Sequence, residues 1–450
     1  MQDVEGLGCH LEPAHPAGAQ VDADELGGPV ARHPDGTSRD GHTARPRPHP
    51  ESALHAASPI QTKHCTHFVD GDPELISVGS EPTRRAAGRD DCSFERRWRD
   101  LRPGGGDQEH DREDRQEKAH GVCFTPGRPG EFPYDRRVGI PLVGRRDVER
   151  AAAVIAGRLH RTPVLSCRTL GADIFLKAEL FQRPGSFKPR GMLNKLASLT
   201  EEEKSRGIVT WSAGNAAQGA AFAAGQEGVA CMVFMWATAN PLKVAATRAY
   251  GAEVDLTAAS PAEAHDRLLE YVEETGRTFV HPFDDPVLQA GHGTLGLEIV
   301  EDVPEVATIV VPVGGGGLVA GVASAVDCRV VGVEPECAPS LSAALAAGSP
   351  VRIEPRSIAD GLNAPFTGEG TLAVCRERVD EVVLVSDEEI AEGMRFLYTR
   401  AKLACEPAGA AAVAALLAGK VVVEPGSPVV AVVSGGNADP QIAAGILAGR

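Results

Sequence analysis

The turn Gly185-Ser186-Phe187-Lys188-Pro189-Arg190-Gly191 places a lysine just after an apolar run, Ile174-Phe175-Leu176, and at the start of a helical pattern. An amine becomes a useful nucleophile near neutral pH when burial and neighbouring cations disfavour its charged form, and its commonest use is an imine with a carbonyl cofactor. Lys188 is therefore the candidate Schiff-base residue. On its own, a lysine between Phe and Pro would be a surface residue; three loops further along the chain argue against that. Ser212-Ala213-Gly214-Asn215-Ala216-Ala217-Gln218-Gly219 follows an apolar run and opens a helical pattern, so small residues let a carboxylate approach backbone amides at a helix N-terminus. Asn215 can also donate to a phenolate-type oxygen. Gly314-Gly315-Gly316-Gly317 is entropically costly between two apolar flanks, which points to peptide N–H groups closing around a phosphate with no Cβ in the way. It is neither a GxxxxGK[ST] loop nor a dinucleotide fingerprint. The third loop, Ser434-Gly435-Gly436-Asn437, offers a hydroxyl that could meet the ring nitrogen of a pyridine cofactor.

The elements that must hold these loops alternate. Residues 147–159 read as a helix capped by Asp147, with Val148, Ala151, Ala152, Ile155 and Leu159 on one side. Strand-like runs follow at 174–179, 208–211, 229–235, 308–313, 330–334, 382–385 and 429–433, with helical runs beside them starting after Lys188, near Ala216, at Pro241 and near Leu318. Such alternation predicts an α/β fold with parallel sheets covered on both faces, whose ligands sit beyond the carboxyl ends of the strands.

Composition sets the boundaries. The chain has 450 residues and a formal charge of −17, with no compact basic face for nucleic acid and no apolar run of membrane length. Ten cysteines without CxxC pairs read as a reduced chain, hence a cytoplasmic one. Residues 1–137 hold ten of the fourteen histidines and fourteen prolines, with no apolar periodicity. Such a segment reads as disordered; the alternative is translated upstream DNA, with the natural start near Val138 or Val143. His64-Cys65-Thr66-His67 within it is read as coincidence rather than a metal site.

Together, the run 181–188, SAGNAAQG at 212–219, AGHGTLGLEI at 290–299, GGGG at 314–317 and SGGN at 434–437 resemble the serine/threonine dehydratase family of fold type II pyridoxal-phosphate enzymes. The layout is most similar to the short catabolic threonine dehydratases. The resemblance runs from about Gly144 to the end and implies a catalytic region over 144–450. Its large domain would comprise 144–183 plus 283–450 and its small domain 184–282, with pyridoxal 5'-phosphate in the cleft between them. No C-terminal regulatory domain follows Ser434, so feedback inhibition through one is not expected.

The resemblance also implies roles. Lys188 would form the internal aldimine and then remove the α-proton. Phe187 would pack on the cofactor ring, Asn215 would bond its 3'-oxygen, Gly314 to Gly317 would hold its phosphate, Glu406 would lie near it and Ser434 would face its nitrogen. Ser212, Gly214 and Ala216 would cradle the substrate carboxylate, Ala216 standing where many relatives have His. The reaction implied is β-elimination of L-threonine or L-serine to a 2-oxo acid and ammonia. The alternatives are a dehydratase for another β-hydroxy amino acid, such as 3-hydroxyaspartate, and a non-catalytic binding protein.

Ala213 replaces a second serine found in racemising relatives, so racemase activity is not expected. Glu334 matches one carboxylate of their cation site, but Ser340 stands in place of the other. A cation at Glu334, divalent or monovalent, is therefore left open. Trp211 and Trp236 beside the loops are expected to reshape the pocket. A homo-oligomer, dimer or tetramer, is expected, with an amino acid as the small-molecule ligand.

Overall fold

The structure is a computed structural model that describes residues 142–449; the segment 1–137, with its two readings, lies outside the described residues. Among the described residues ten strands form two sheets. They are β1 Val164–Ser166, β2 Ile174–Ala178, β3 Ile208–Trp211, β4 Cys231–Trp236, β5 Glu253–Ala258, β6 Thr278–Phe279, β7 Thr308–Pro312, β8 Arg329–Pro335, β9 Glu381–Val385 and β10 Val429–Val433. The larger sheet runs β1-β2-β10-β7-β8-β9 and the smaller β5-β4-β3-β6. Every pairing is parallel except β1 with β2. The α/β expectation holds, with one antiparallel edge strand added.

Strand β10 shows why. Its Val429, Ala431 and Val433 join a core on one face of the large sheet, while Val430 and Val432 join the core on the other. A strand buried on both faces carries an unbroken apolar run, which is the mark of a helix-covered parallel sheet. The strands missing from the sequence reading are the ones lacking that mark. β1 and β6 are three and two residues long, and β5 is an edge strand whose residues are mostly not buried.

The first helix runs Arg145–Ile155 rather than 147–159. Asp147 does not cap it as the N-cap residue; it sits at the third helical position and reaches back to accept from the Gly144 amide at 2.9 Å. Helix Pro286–Asp302 carries the AGHGTLG motif, and its glycines have a packing reason. A Cβ on Gly291 would collide with the carbonyl of Arg190, and one on Gly293 would come 2.8 Å from a Val148 methyl and 3.0 Å from the Gly321 carbonyl carbon. The helix is thereby pressed between the Lys188 helix and Gly317–Ala325. Among the described residues no helix is long and apolar enough to cross a membrane, and six cysteines are free with none paired.

Candidate active site

Helix Lys188–Ala197 begins at the lysine itself, so its side chain leaves from the first helical turn. Lys188 Nζ donates to the carbonyl of Pro282 at 2.9 Å and lies 5.2 Å from the centre of the Phe187 ring. Loss of bulk water pulls this amine down to about 8. Although far away in sequence, the turn after β10 is stitched to the lysine turn. Phe187 N donates to the Ser434 carbonyl at 3.2 Å, Gly436 N to that of Gly185 at 2.9 Å, and Ser186 bridges Gly435. Distant segments are thus fixed against each other by backbone bonds, which orient Ser434 without depending on its hydroxyl.

A single cavity of about 440 Å³ is lined by Phe187, Lys188, Ser212, Gly214, Asn215, Ala216, the four glycines 314–317, Glu406 and Ser434. Of the site residues named from the sequence, only Glu334 stands apart.

The glycine loop follows β7 and opens helix Gly317–Ala325. Gly316 has φ +84°, and a Cβ there would press to 2.6 Å from the Thr371 methyl. A Cβ on Gly315 would run into the Phe283 ring, and one on Gly317 would come 2.5 Å from the Phe283 carbonyl. Only bare peptide fits, so backbone without side chains lines the cavity at a helix start, a cradle suited to a phosphate. Ser340 anchors the loop from behind by donating to the Gly314 carbonyl at 2.8 Å.

Asn215 heads helix Asn215–Glu227 and donates from Nδ2 to Glu406 Oε1 at 2.5 Å, while Asn437 Nδ2 donates to its Oδ1 at 2.8 Å. Glu406 is 2 % exposed, and its Oε2 has no hydrogen-bond partner among the described residues. Burial raises its carboxyl to about 7. Ser212 Oγ accepts from Gly214 N at 3.2 Å, shaping the turn that presents the helix N-terminus. These features fit pyridoxal phosphate: a depressed amine, a phosphate cradle that a Cβ would fill, and a buried carboxyl oxygen without a donor facing one cavity.

Glu334 lies at the end of β8, fully buried. Its carboxylate accepts from Leu341 N at 2.7 Å, Ser342 N at 2.9 Å and Ser342 Oγ at 2.7 Å, so it serves the N-terminus of helix Ser340–Ala347. Among the described residues no three His, Cys, Asp or Glu side chains gather where an ion could bind.

Several lining residues were not singled out from the sequence. Lys243, two residues into the helix opened by Pro241, forms an ion pair across the cleft with Asp360. Phe283 backs the glycine loop, and His281 Nδ1 accepts from Asp284 N at 2.8 Å, fixing the turn whose Pro282 carbonyl meets Lys188. Lys243 was findable, because it follows the carboxyl end of β4 on the same side as the 212–219 loop. Asp360 was findable too: residues 349–368 form a long connection whose one regular element is the short 3₁₀ turn Asp360–Leu362, and such long loops in compact folds are usually functional.

A family model described as "Pyridoxal-phosphate dependent enzyme" matches residues 155–435. An L-threonine ammonia-lyase of Thermotoga maritima is 43% identical over 308 residues, 66% of this chain and 76% of that protein. A catabolic L-threonine dehydratase, TdcB, of Staphylococcus aureus is 40% identical over 319 residues, 68% of this chain and 92% of that one. Among solved structures, a threonine deaminase from T.th. has a TM-score of 0.62 at 40% identity, covering 66% of this chain and 99% of that one. Maize serine racemase has a TM-score of 0.64 at 36% identity, covering 67% and 95%.

Proposed function

The chain belongs to the family of pyridoxal-phosphate dependent enzymes, and from that premise we propose that it is an ammonia-lyase converting L-threonine, and L-serine, to a 2-oxo acid and ammonia. What supports this reading above all is that Lys188, the glycine loop and Ser434 line one cavity. Bound pyridoxal phosphate supplies an aldehyde that takes the substrate amine and a ring that spreads the electrons left when the α-proton departs.

The chain's own residues do the rest. Gly314 to Gly317 would offer peptide N–H groups to the phosphate, and Asn215, whose Nδ2 donates one hydrogen to Glu406 Oε1, would give the other to the ring oxygen. Ser434, which lines the cavity, would offer the ring nitrogen a neutral hydroxyl in place of a carboxylate, chemistry that would leave that nitrogen uncharged and favour loss of the β-hydroxyl over transamination. Phe187, edge-on to His292 at 4.8 Å, would support the ring. The turn 212–216 holds the substrate carboxylate at the start of a thirteen-residue helix.

Lys188 Nζ, depressed to about 8, has an appreciable neutral fraction at neutral pH and takes the proton from Cα. As the Cα proton and the β-hydroxyl leave, one water is lost. The remaining enamine takes up water and releases ammonia, so threonine gives 2-oxobutanoate plus ammonia in balance. Ala213 offers no hydroxyl to the opposite face of Cα, so racemisation is not part of this reading. Six free cysteines among the described residues support a cytoplasmic location, and a homo-oligomer, a dimer or tetramer, is part of the same proposal. The domain limits 144–183 plus 283–450 and 184–282 are part of the same proposal.

The test is release of 2-oxo acid and ammonia by purified, cofactor-loaded protein. Turnover of threonine or serine supports the reading, and failure with every β-hydroxy amino acid overturns it.

A further inference from the structure

We propose that the cavity continues into an apolar subsite for the substrate's β-substituent, between Trp211, Trp236 and Pro261 on one wall and Pro355, Ala364 and Pro365 on the other, so that the preferred substrates are β-hydroxy amino acids bearing an aryl or branched alkyl group. The inference rests on the proposed ammonia-lyase reading and extends its substrates beyond threonine and serine.

The cavity's extent comes from the sheet. In the order β5-β4-β3-β6, the carboxylate turn follows β3, Trp236 ends β4, and Pro261 opens the helix after β5. All three line the same cavity. Neighbouring strands lie about 4.8 Å apart, so the lining reaches about 10 Å from the turn that would hold the carboxylate. A methyl group on the β-carbon would occupy only the near end of that distance.

The walls are apolar except for Trp211 Nε1, a buried donor with no hydrogen-bond partner among the described residues. Trp211 is packed edge-on to His265 at 4.9 Å, which fixes its ring. On the facing wall, the polar groups of Asn363 are already engaged: Oδ1 accepts from Ser357 N at 3.1 Å and Nδ2 donates to the Ser357 carbonyl at 2.9 Å. The segment is held in place further by Ile353 N donating to the Pro365 carbonyl at 2.8 Å.

Among the described residues, Lys243 is the one cation lining the cavity besides Lys188, and it is ion-paired with Asp360. A second substrate carboxylate would meet that neutralised pair and the buried Glu406, with no free cation to receive it. The walls therefore select against 3-hydroxyaspartate and for an apolar group that can lie against an indole face.

The experiment compares kcat/KM for serine, threonine, phenylserine, 3-hydroxyleucine and 3-hydroxyaspartate, and titrates L-phenylalanine and L-2-aminobutyrate, which lack the β-hydroxyl, by tryptophan fluorescence. Two of the chain's three tryptophans flank the subsite. Phenylserine is expected to exceed threonine by about tenfold, and L-phenylalanine to bind about tenfold tighter than L-2-aminobutyrate. Trp236→Ala should bring both ratios near unity, and Trp236→Phe should restore them. Preference for threonine, serine or 3-hydroxyaspartate, or ratios unmoved by Trp236→Ala, would overturn the subsite. If no compound releases ammonia, the ammonia-lyase reading fails, while the binding ratio still decides the subsite by itself.

Discussion

Two lysines eleven residues apart, each in a nearly dry setting, show what separates the frame of this molecule from its chemistry. Lys177 on β2 is fully buried, yet its amine donates to Glu298 at 2.6 Å and to the Thr162 carbonyl at 2.8 Å. Arg190 beside it forks onto Glu179, with both bonds at 2.8 Å, and onto Glu298 at 2.7 and 2.9 Å. In that cluster two cations answer two carboxylates, and the burial cost is offset by full hydrogen bonding. Lys188 has a single carbonyl, no carboxylate, and an amine held down to about 8. Two glutamates repeat the contrast, Glu334 with its oxygens filled by a helix start and Glu406 with one oxygen lacking a donor. A buried charge that is fully answered is architecture; one left half-answered keeps its reactivity.

The largest effect that can test this contrast is on turnover. Lys188→Ala should lower kcat by at least about 10³-fold, because the other cavity amine, Lys243, is committed to Asp360. Stability should stay level or rise, since a desolvated amine with one partner is removed. A residual rate above a tenth of the parent's would mean another group moves the proton. Lys177→Met should show the reverse signature. It leaves two carboxylates sharing one arginine in the interior, a loss of about 3–5 kcal/mol in urea unfolding, with kcat per folded molecule little changed. If Lys177→Met costs activity and not stability, the division between frame and chemistry is misplaced.

Which parts were legible in the sequence follows the same division. The cleft groups sit in short loops after apolar strands, where glycine runs and a lysine turn stand out; all but Glu334 of the named site residues line one cavity. Glu334 stands apart: its motif position matches one carboxylate of a cation site, whereas its carboxylate meets the amides of Leu341 and Ser342, a contact that no spacing reveals. The Lys177, Glu179, Arg190 and Glu298 cluster was invisible for a related reason. Its members are scattered over 121 residues and meet only because glycines let helix Pro286–Asp302 approach the Lys188 helix. The buried strands announced themselves by continuous apolar runs, while the short or edge strands β1, β5 and β6 owe their existence to the neighbours they pair with.

The smallest effect divides the two glutamates. Burial raises both carboxyls from 4.5 to about 7, so the folded state binds their protons more tightly than the unfolded state does. Each therefore contributes stability that is full below about pH 4.5 and is lost as pH rises through 7. Glutamine stays neutral at every pH, and at position 406 it keeps an oxygen for Asn215 Nδ2; Glu406→Gln should gain on the order of 3 kcal/mol at pH 8 and almost nothing at pH 4.5. At position 334 the same gain is opposed, because the glutamine NH₂ must face one of the donors from Leu341 or Ser342 and leave it unpaired, a loss of about 1–3 kcal/mol at every pH. Urea titrations at pH 5 and pH 8 should thus show two parallel pH slopes, with Glu334→Gln lying below Glu406→Gln by about 1–3 kcal/mol throughout. Coincident curves would mean that the donors around Glu334 are dispensable, and the distinction between an answered and a half-answered carboxylate would fall.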